Sequence, residues 1–287
     1  MEEIPVIFNP NARSLRATRL RARIEALPGC RLVITEKPGH GRDLAAAEFA
    51  AGYRTIVAAG GDGSVNDVVN GLDLSRSTLG ILPVGTMNVF AHELGIPRNL
   101  EAAWQIIRNG HTRQIDLGRA NQNYFVQLAG VGIDAQIVEA TSPERKNRLG
   151  PLAYLLSAAQ LAGRPCPLLE LQTPEGTHTG SFALVGNGRC YGGPFTFFRN
   201  ALLNDGKLDV LLFKSSGYWR LARYVGAALM GSHANPEDVE YFQTTSLTIR
   251  SAQTVPVEID GELSGHVPVH FDILPRGLRV LAPPPAH

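Results

Sequence analysis

A cluster of glycines around one aspartate is the stretch of this sequence whose residue types most directly suggest chemistry. An apolar, strand-like segment, residues 55–59, leads into Gly60, Gly61, Asp62 and Gly63, and a helix-like apolar pattern follows. Glycines between a strand and a helix let backbone N–H groups approach an anion, because no Cβ stands in the way. The turn lacks the P-loop lysine and the dinucleotide-binding glycine spacing. It therefore indicates another kind of phosphate site, or an ordinary strand–helix connection.

Asp62 is unexpected in a phosphate-binding turn, because a carboxylate repels a bare phosphate. Its position predicts that a cation or a ribose hydroxyl lies between the two groups. A second turn favours the phosphate interpretation: strand-like residues 80–84 lead into Gly85 and Thr86, and another helix begins after them. Since the carboxyl ends of neighbouring parallel strands meet at one edge of a sheet, we expect both turns to converge there.

Two later turns carry carboxylates that suit the other needs of phosphoryl transfer, a cation and a base. Asp205 lies in the turn 204–209, where its carboxylate and the turn carbonyls could complete the shell of a hard cation. Asp260 and Glu262 flank a glycine at the end of an apolar-alternating strand. One of them could act as a base if burial or the other acid raised its pKa. Each turn is also typical of a plain β-hairpin.

Alternating strand-like and helix-like segments up to residue 117 must position the glycine turns, and they predict a parallel, doubly wound sheet. From about residue 123, short apolar runs alternate with turns, which predicts a β-sandwich. Two helix-like inserts, 149–163 and 218–232, either pack against this sandwich or flank a lipid groove. The predicted strands of the second half are 124–128, 168–172, 181–187, 208–214, 246–251, 255–260, 267–274 and 278–282.

Composition limits the function classes. The chain has 287 residues, 44% of them hydrophobic, and a net charge of +1, which predicts no bulk attraction to nucleic acid. Three isolated cysteines and an N-terminus without a signal-peptide pattern indicate a cytoplasmic protein. No apolar run approaches the ~20 residues that span a bilayer, so a lipid substrate would be met peripherally, at a membrane surface.

Residues 60–66 and 83–88 resemble the two signature turns of the diacylglycerol kinase catalytic family, in its bacterial soluble lipid-kinase branch. The nucleotide-binding half of that family is similar to that of NAD kinases. The resemblance covers nearly the whole chain and implies an α/β nucleotide-binding domain, residues 1–122 with a returning tail, 276–287. It implies a β-sandwich lipid-kinase domain, residues 123–275, with ATP as the phosphoryl donor, Mg²⁺, and a lipid acceptor such as diacylglycerol.

By this resemblance, the nucleotide is bound by the loop after the first strand, by the end of the second strand and by both glycine turns. The Asp205 carboxylate and the carbonyls of Leu202 and Lys207 are the implied ligands of a structural Mg²⁺. Either Glu262 or Asp260 is the implied base for the lipid hydroxyl. The implied nucleotide-binding residues are Asn9, Pro10, Asn11, Ala12, Arg13, Thr35, Gly60, Gly61, Asp62, Gly63, Ser64, Val65, Asn66 and Thr86.

Val89 departs from the family pattern, because many members have Asp at this position. If that Asp helps to hold a cation, Asp62 and Asp116 are the residues expected to compensate. Two other interpretations stay open: a kinase of a soluble acceptor, as in NAD kinases, and a nucleotide or lipid sensor without catalysis. The sequence does not distinguish among lipid acceptors, and a homodimer and the mode of membrane contact are equally open.

Overall fold

A computed structural model describes residues 3–10, 15–132, 135, 167–191, 195–214 and 239–284. Contacts divide the chain into two compact units, Met1–Leu117 with Pro275–His287, and Gly118–Leu274. Among the sequence predictions, the two helix-like inserts and the residues Asn11, Ala12 and Arg13 lie outside the described residues. No helix in these ranges is long and apolar enough to cross a bilayer.

The described part of the chain contains five helices and eighteen strands. In chain order they are β1 (Ile4–Phe8), α1 (Leu15–Glu25), β2 (Cys30–Ile34), α2 (His40–Ala50), β3 (Thr55–Gly60), α3 (Asp62–Val69), β4 (Thr78–Pro83), α4 (Val89–Glu93), α5 (Leu100–Asn109), β5 (Thr112–Ala120), β6 (Asn123–Phe125), β7 (Leu128–Val131), β8 (Leu169–Thr173), β9 (Gly176–Gly180), β10 (Phe182–Gly186), β11 (Cys190–Tyr191), β12 (Phe195–Thr196), β13 (Leu208–Phe213), β14 (Val239–Thr244), β15 (Ser246–Arg250), β16 (Pro256–Ile259), β17 (Glu262–His266) and β18 (Val269–Leu281).

The N-terminal unit is built on a parallel sheet with the strand order β2-β1-β3-β4-β18. Its central strands are apolar and buried along almost their whole length, as expected for a sheet covered on both faces. In α3, Val65, Val68 and Val69 are buried, which matches the apolar face expected from the sequence. The predicted doubly wound α/β fold of this half is confirmed.

The strand order also determines where a ligand can bind. The connection after β1 leads outward to β2, whereas the connection after β3 leads in the opposite direction to β4. The carboxyl ends of β1 and β3 therefore lie on either side of a topological switch point, where open α/β sheets bind their ligands.

The described part of the C-terminal unit consists mainly of β-strands. One antiparallel sheet has the order β14-β13-β10-β7-β16-β17, and the first half of β18 pairs with β15, which continues to β8 and β9. One apolar core contains side chains from both sets of strands, which confirms the predicted sandwich-like architecture. Its fully buried members include Phe125, Leu169, Leu171, Val185, Val210, Leu212, Ile249 and Phe271.

Two strand predictions were wrong in the same way. The predicted strands 267–274 and 278–282 form one strand, β18, and Val280 of its last part pairs with Leu79 of β4. The intervening Pro275 and Gly277 are typical of a turn, but the chain continues through Arg276 in a left-handed conformation, φ 52°. The buried Asp116 carboxylate accepts a hydrogen bond of 2.7 Å from Arg276 N and stabilises this geometry.

The predicted strand 124–128 is divided instead into β6 and β7. The backbone N–H groups between these strands are bound by the side chain of Asp260, which replaces a strand partner.

Candidate active site

Polar groups gather at the carboxyl edge of the N-terminal sheet. Asn9 follows β1, Thr35 follows β2, and the strand register aligns the ends of β1, β2 and β3. Across the switch point, Asn9 Nδ2 donates a 3.2 Å hydrogen bond to Ser64 Oγ in α3. Thr35 N donates to Phe8 O at 3.0 Å. The half-buried Pro10 follows Asn9, so the structure brings these three predicted residues to the same edge as the first glycine turn.

The two glycine turns are in direct contact. Both Val84 N and Gly85 N donate to Gly60 O at 3.2 Å. A Cβ added to Gly85 would lie only 2.4 Å from Gly61 Cα, so a side chain there would collide with backbone. The prediction that the two turns converge is confirmed, and Gly85 is required for their close approach.

The first turn of α3 presents backbone N–H groups at this edge. Gly61 is the N-cap, and the helix begins at Asp62. Because a helix leaves its first N–H groups without intrahelical acceptors, the N–H groups of Asp62, Gly63 and Ser64 have no acceptor among the described residues. Together with the positive end of the helix dipole, they form an arrangement that binds anions.

Val65 and Asn66 contribute to the same helix in different ways. Val65 is buried in the core and its N–H donates to Gly61 O at 3.1 Å. The Asn66 carbonyl and side-chain oxygens accept hydrogen bonds from Asn70 Nδ2 at 3.0 and 3.1 Å. The geometry therefore gives Val65 a packing role in the helix that carries the N–H groups.

Asp62 differs from the sequence expectation. It is the first residue of α3 rather than a residue inside the turn, and its Oδ1 accepts a 3.1 Å hydrogen bond from Phe90 N in α4. The N–H of Phe90 is therefore a hydrogen-bond partner of Asp62, for which the sequence predicted a cation or a ribose hydroxyl. Val89 is buried at the start of α4. Asp62 and Asp116, the two acids expected to compensate for the missing family Asp, each have a side-chain oxygen that accepts a hydrogen bond from a backbone N–H.

Asn88 organises the second turn, a role that the sequence analysis missed. Its backbone is left-handed, φ 53°, and its buried side chain accepts a hydrogen bond from Gly85 N at 3.0 Å. Its Nδ2 donates to Gly85 O at 2.9 Å. An Asn three residues after a turn glycine is the sequence pattern that could have indicated this role. Asn tolerates a left-handed backbone, and its side chain forms hydrogen bonds with nearby main-chain groups. Thr86 is exposed in this turn, and its carbonyl accepts from Arg98.

The predicted cation ligands lie in a tight turn before β13. Gly206 is left-handed, φ 72°, and Asp205 Oδ1 accepts a 3.1 Å hydrogen bond from Lys207 N. Leu202 and Lys207 are exposed residues of the same loop. A carboxylate beside turn carbonyls is the oxygen-rich donor set that Mg²⁺ prefers. No cluster of three or more His, Cys, Asp or Glu side chains that could hold a metal occurs in the described ranges.

Asp209, two residues beyond Lys207, was not assigned a role from the sequence. It is fully buried, and its Oδ2 has no hydrogen-bond partner in the described part of the chain. Burial raises the pKa of Asp209 above its usual range, and hydrogen bonds from Tyr241 and Gln243 oppose this shift. Asp209 Oδ2 is a buried carboxylate oxygen without a hydrogen-bond partner, and it belongs to a residue close in sequence to the Asp205 turn. The residues present are therefore compatible with a divalent cation at this turn.

The two acids of the last turn have different surroundings. Asp260 and Gly261 form a two-residue hairpin turn between β16 and β17, with φ 48° and 85°, as in a type I′ turn. The Asp260 carboxylate accepts three backbone hydrogen bonds, from the N–H groups of residues 126, 127 and 128 at 2.9, 3.0 and 3.2 Å. Glu262 is exposed at the start of β17. Asp260 therefore fixes the turn, and Glu262 is the acid of the pair whose side chain is exposed.

Glu258 supports the same turn and was also missed from the sequence. Its side chain is fully buried in β16, and its Oε2 accepts a 2.7 Å hydrogen bond from Gly261 N. Burial and backbone hydrogen bonds are therefore concentrated on Glu258 and Asp260, whereas Glu262 is exposed.

Family models match both units. The model described as the diacylglycerol kinase catalytic domain matches residues 3–120. The model described as the YegS C-terminal NAD kinase beta sandwich-like domain matches residues 127–282. The chain belongs to the diacylglycerol kinase family. This kinase family is ATP-dependent and transfers a phosphoryl group to a hydroxyl, so the chain is a phosphotransferase of that class.

Individual relatives agree with this assignment. The chain is 35% identical to the diacylglycerol kinase of Bacillus subtilis strain 168 over 238 residues, which cover 80% of this chain and 78% of the relative. It is 30% identical to that of Staphylococcus aureus strain bovine RF122 over 254 residues, covering 87% and 81%. A crystal structure of a diacylglycerol kinase from Bacillus anthracis strain Sterne superposes with a TM-score of 0.80 at 28% identity, covering 99% and 98%.

Proposed function

We propose that this kinase transfers the γ-phosphoryl group of ATP to the free hydroxyl of diacylglycerol. The observation that carries the proposal is the pair of touching glycine turns at the switch point, with the N–H groups of Asp62, Gly63 and Ser64 at the start of α3. The names of the relatives support diacylglycerol as the acceptor.

In this proposal the nucleotide phosphates lie at the start of α3, where N–H groups and the helix dipole offset their negative charge. Asn9 holds Ser64 in place through the 3.2 Å hydrogen bond. Gly85 and Thr86 form the second wall, and Asn9, Pro10 and Thr35 complete the described part of the nucleotide-binding edge. Asp62 acts through α4, whose first turn it fixes, and not as a ligand of the phosphates.

Glu262 is the proposed base. The acceptor hydroxyl gives its proton to the Glu262 carboxylate as its oxygen forms a bond to the γ-phosphorus. The bond from the γ-phosphorus to the bridging oxygen breaks, and ADP leaves with that electron pair. Asp260 and Glu258 hold the turn that presents Glu262, through the backbone hydrogen bonds described above.

The proposed Mg²⁺ site consists of the Asp205 carboxylate and the carbonyls of Leu202 and Lys207. When bound, Mg²⁺ would supply positive charge beside the Asp205 carboxylate. We further propose that the protein contacts its lipid at a membrane surface, as a protein that acts on a water-insoluble acceptor must.

Transfer of label from [γ-³²P]ATP to a panel of acceptors tests the proposal. Diacylglycerol, ceramide, sphingosine and phosphatidylglycerol are presented in mixed micelles, and NAD is added in solution. Wild type runs beside Glu262→Gln and beside Glu170→Gln, which changes an exposed acid of β8 outside the proposed site. We expect label on diacylglycerol with wild type and Glu170→Gln, and strong loss with Glu262→Gln.

Other outcomes separate the alternatives. Label on NAD alone would establish a soluble acceptor and contradict the lipid proposal. ATP binding without label on any acceptor would establish a sensor. Label on a different lipid would keep the mechanism and replace the acceptor.

A further inference from the structure

Asp209 is a fully buried carboxylate to which the proposed mechanism gives no task. It lies on β13, where the strand register places it between Gly186 of β10 and Gln243 of β14. Fully buried acids are rare unless they are paired. In the described part of the chain, neither Asp209 nor Asp205 forms an ion pair with a Lys or Arg side chain. The Oδ2 of Asp209 therefore has neither a hydrogen-bond partner nor an ion-pair partner in the described part of the chain.

The hydrogen bonds of Asp209 lead to the Asp205 turn. Its Oδ1 accepts from the Tyr241 hydroxyl and, at 3.2 Å, from Gln243 Nε2. The same Gln243 Nε2 also approaches Asp205 Oδ2 at 3.4 Å. One amide group is therefore held between the two carboxylates. Lys207 N binds the other oxygen of Asp205, so both oxygens of Asp205 are oriented from within the protein.

This arrangement has the properties of an outer shell around a cation site. Side chains that orient a metal-binding carboxylate normally do so through hydrogen bonds of this kind. Asp209 Oδ2 has no hydrogen-bond partner in the described part of the chain. The carboxylate of Asp205 and the carbonyls of its turn, held by these hydrogen bonds, are the oxygen ligands that a small divalent cation prefers.

We propose that Asp209, acting through Gln243, is a positioning residue that orients the Asp205 carboxylate for a divalent cation. The inference rests on the cation site of the proposed function and extends it to residues of β13 and β14. Tyr241 belongs to the same set because its hydroxyl fixes Asp209 Oδ1. The group has no contact with the reacting atoms in this proposal, so its effect is on cation affinity.

The test is calorimetric titration of the full chain with Mg²⁺ in the absence of nucleotide. Asp209→Asn removes the charge but keeps an oxygen that can accept from Tyr241 and Gln243, and Gln243→Leu removes the bridge. Asp205→Asn is the reference for loss of a ligand. Glu240→Gln is the matched control, because Glu240 lies on β14 but bonds to His178 and Lys214 instead.

We expect Asp209→Asn and Gln243→Leu each to raise the Mg²⁺ dissociation constant about 10- to 100-fold, the usual effect of removing an outer-shell partner. Glu240→Gln should leave the constant unchanged. Melting curves with and without Mg²⁺ provide the second readout, because a purely structural role would lower the melting temperature equally in both conditions. If Asp209→Asn does not fold, Gln243→Leu carries the test.

Two results would overturn parts of the account separately. Weaker binding in Asp205→Asn, with wild-type affinity in Asp209→Asn and Gln243→Leu, would refute the positioning role and keep the cation site. Absence of Mg²⁺ binding to wild type would refute the cation site itself. Phosphoryl transfer to diacylglycerol is measured independently, so neither result is confused with failure of the proposed function.

Discussion

The division of labour between Asp260 and Glu262 can be tested by two conservative substitutions. Asp260→Asn replaces one carboxylate oxygen with an amide NH₂ group, which cannot accept a hydrogen bond. One of the backbone N–H groups of residues 126–128 then loses its acceptor, and the Val126 side chain beside it is fully buried. A hydrogen bond to a charged group contributes about 1.5–3 kcal/mol, and an unpaired buried N–H adds a penalty of similar size.

We therefore expect Asp260→Asn to lower the free energy of unfolding by about 3 kcal/mol. For a unit of about 150–250 residues, each kcal/mol lowers the melting temperature by roughly 2–4 °C, so the expected shift is about 6–12 °C. Glu262→Gln changes an exposed side chain, and its effect on stability should be within about 0.5 kcal/mol. Its kcat should fall about 100- to 10,000-fold, the usual contribution of a general base.

Calorimetric melting and initial rates at saturating ATP and diacylglycerol measure the two effects side by side. We expect a large melting shift for Asp260→Asn and a large rate loss without a melting shift for Glu262→Gln. If Asp260→Asn melted like wild type but lost its activity, Asp260 would be the base and the assignment would be reversed.

Three further predictions concern other parts of the structure. Gly85→Ala should destabilise the protein by about 1–3 kcal/mol in thermal melting, because its Cβ would lie 2.4 Å from the backbone of Gly61. Gly61→Ala, whose Cβ would lie 3.6 Å from Gly85 Cα, should melt like wild type yet bind ATP more weakly. Equal melting of both variants would contradict the contact between the turns. Burial, with the charge of the neighbouring Glu25, raises the pKa of the Cys30 thiol to about 11. Alkylation of Cys30 at pH 8, measured by mass spectrometry, should therefore be on the order of 100-fold slower than that of free cysteine. An equal rate would show that the pKa of this thiol is not raised. Burial acts to raise the pKa of Glu240, but Lys214 and His178 lower it further than burial raises it. Because a lowered pKa stabilises the folded state above the usual carboxyl range, the melting difference between wild type and Glu240→Gln should be present at pH 7 and disappear as the pH falls below that range. A melting difference that is independent of pH would refute this prediction.

Local sequence signals were sufficient for the fold class and for the convergence of the two glycine turns. The strand, the glycines and the helix around Asp62 have distinct local patterns, and parallel strands bring their carboxyl ends together without further information. The two turns could therefore be predicted to meet, but the sequence gives no measure of how closely Gly85 approaches Gly61.

The roles of the acids depended on contacts that are distant in sequence. Asp62 binds the N–H of Phe90, and Asp260 binds backbone more than a hundred residues earlier in the chain. An Asp in a turn is equally compatible with a cap, a ligand and a base, and only its tertiary partners decide among these roles. The same reason hid Asp209, which stands beside Leu208 in an otherwise apolar strand and has its partners on β14.

The most direct test of the central claim is a single-turnover experiment with [γ-³²P]ATP, diacylglycerol micelles and excess enzyme, with ATP affinity measured on the same samples. We expect labelled phosphatidate with wild type, and for Glu262→Gln an unchanged ATP affinity with transfer about 100-fold slower or more. Equal transfer by the two proteins would remove Glu262 from the mechanism. Tight ATP binding by wild type without any labelled phosphatidate would contradict the proposal that this protein phosphorylates diacylglycerol.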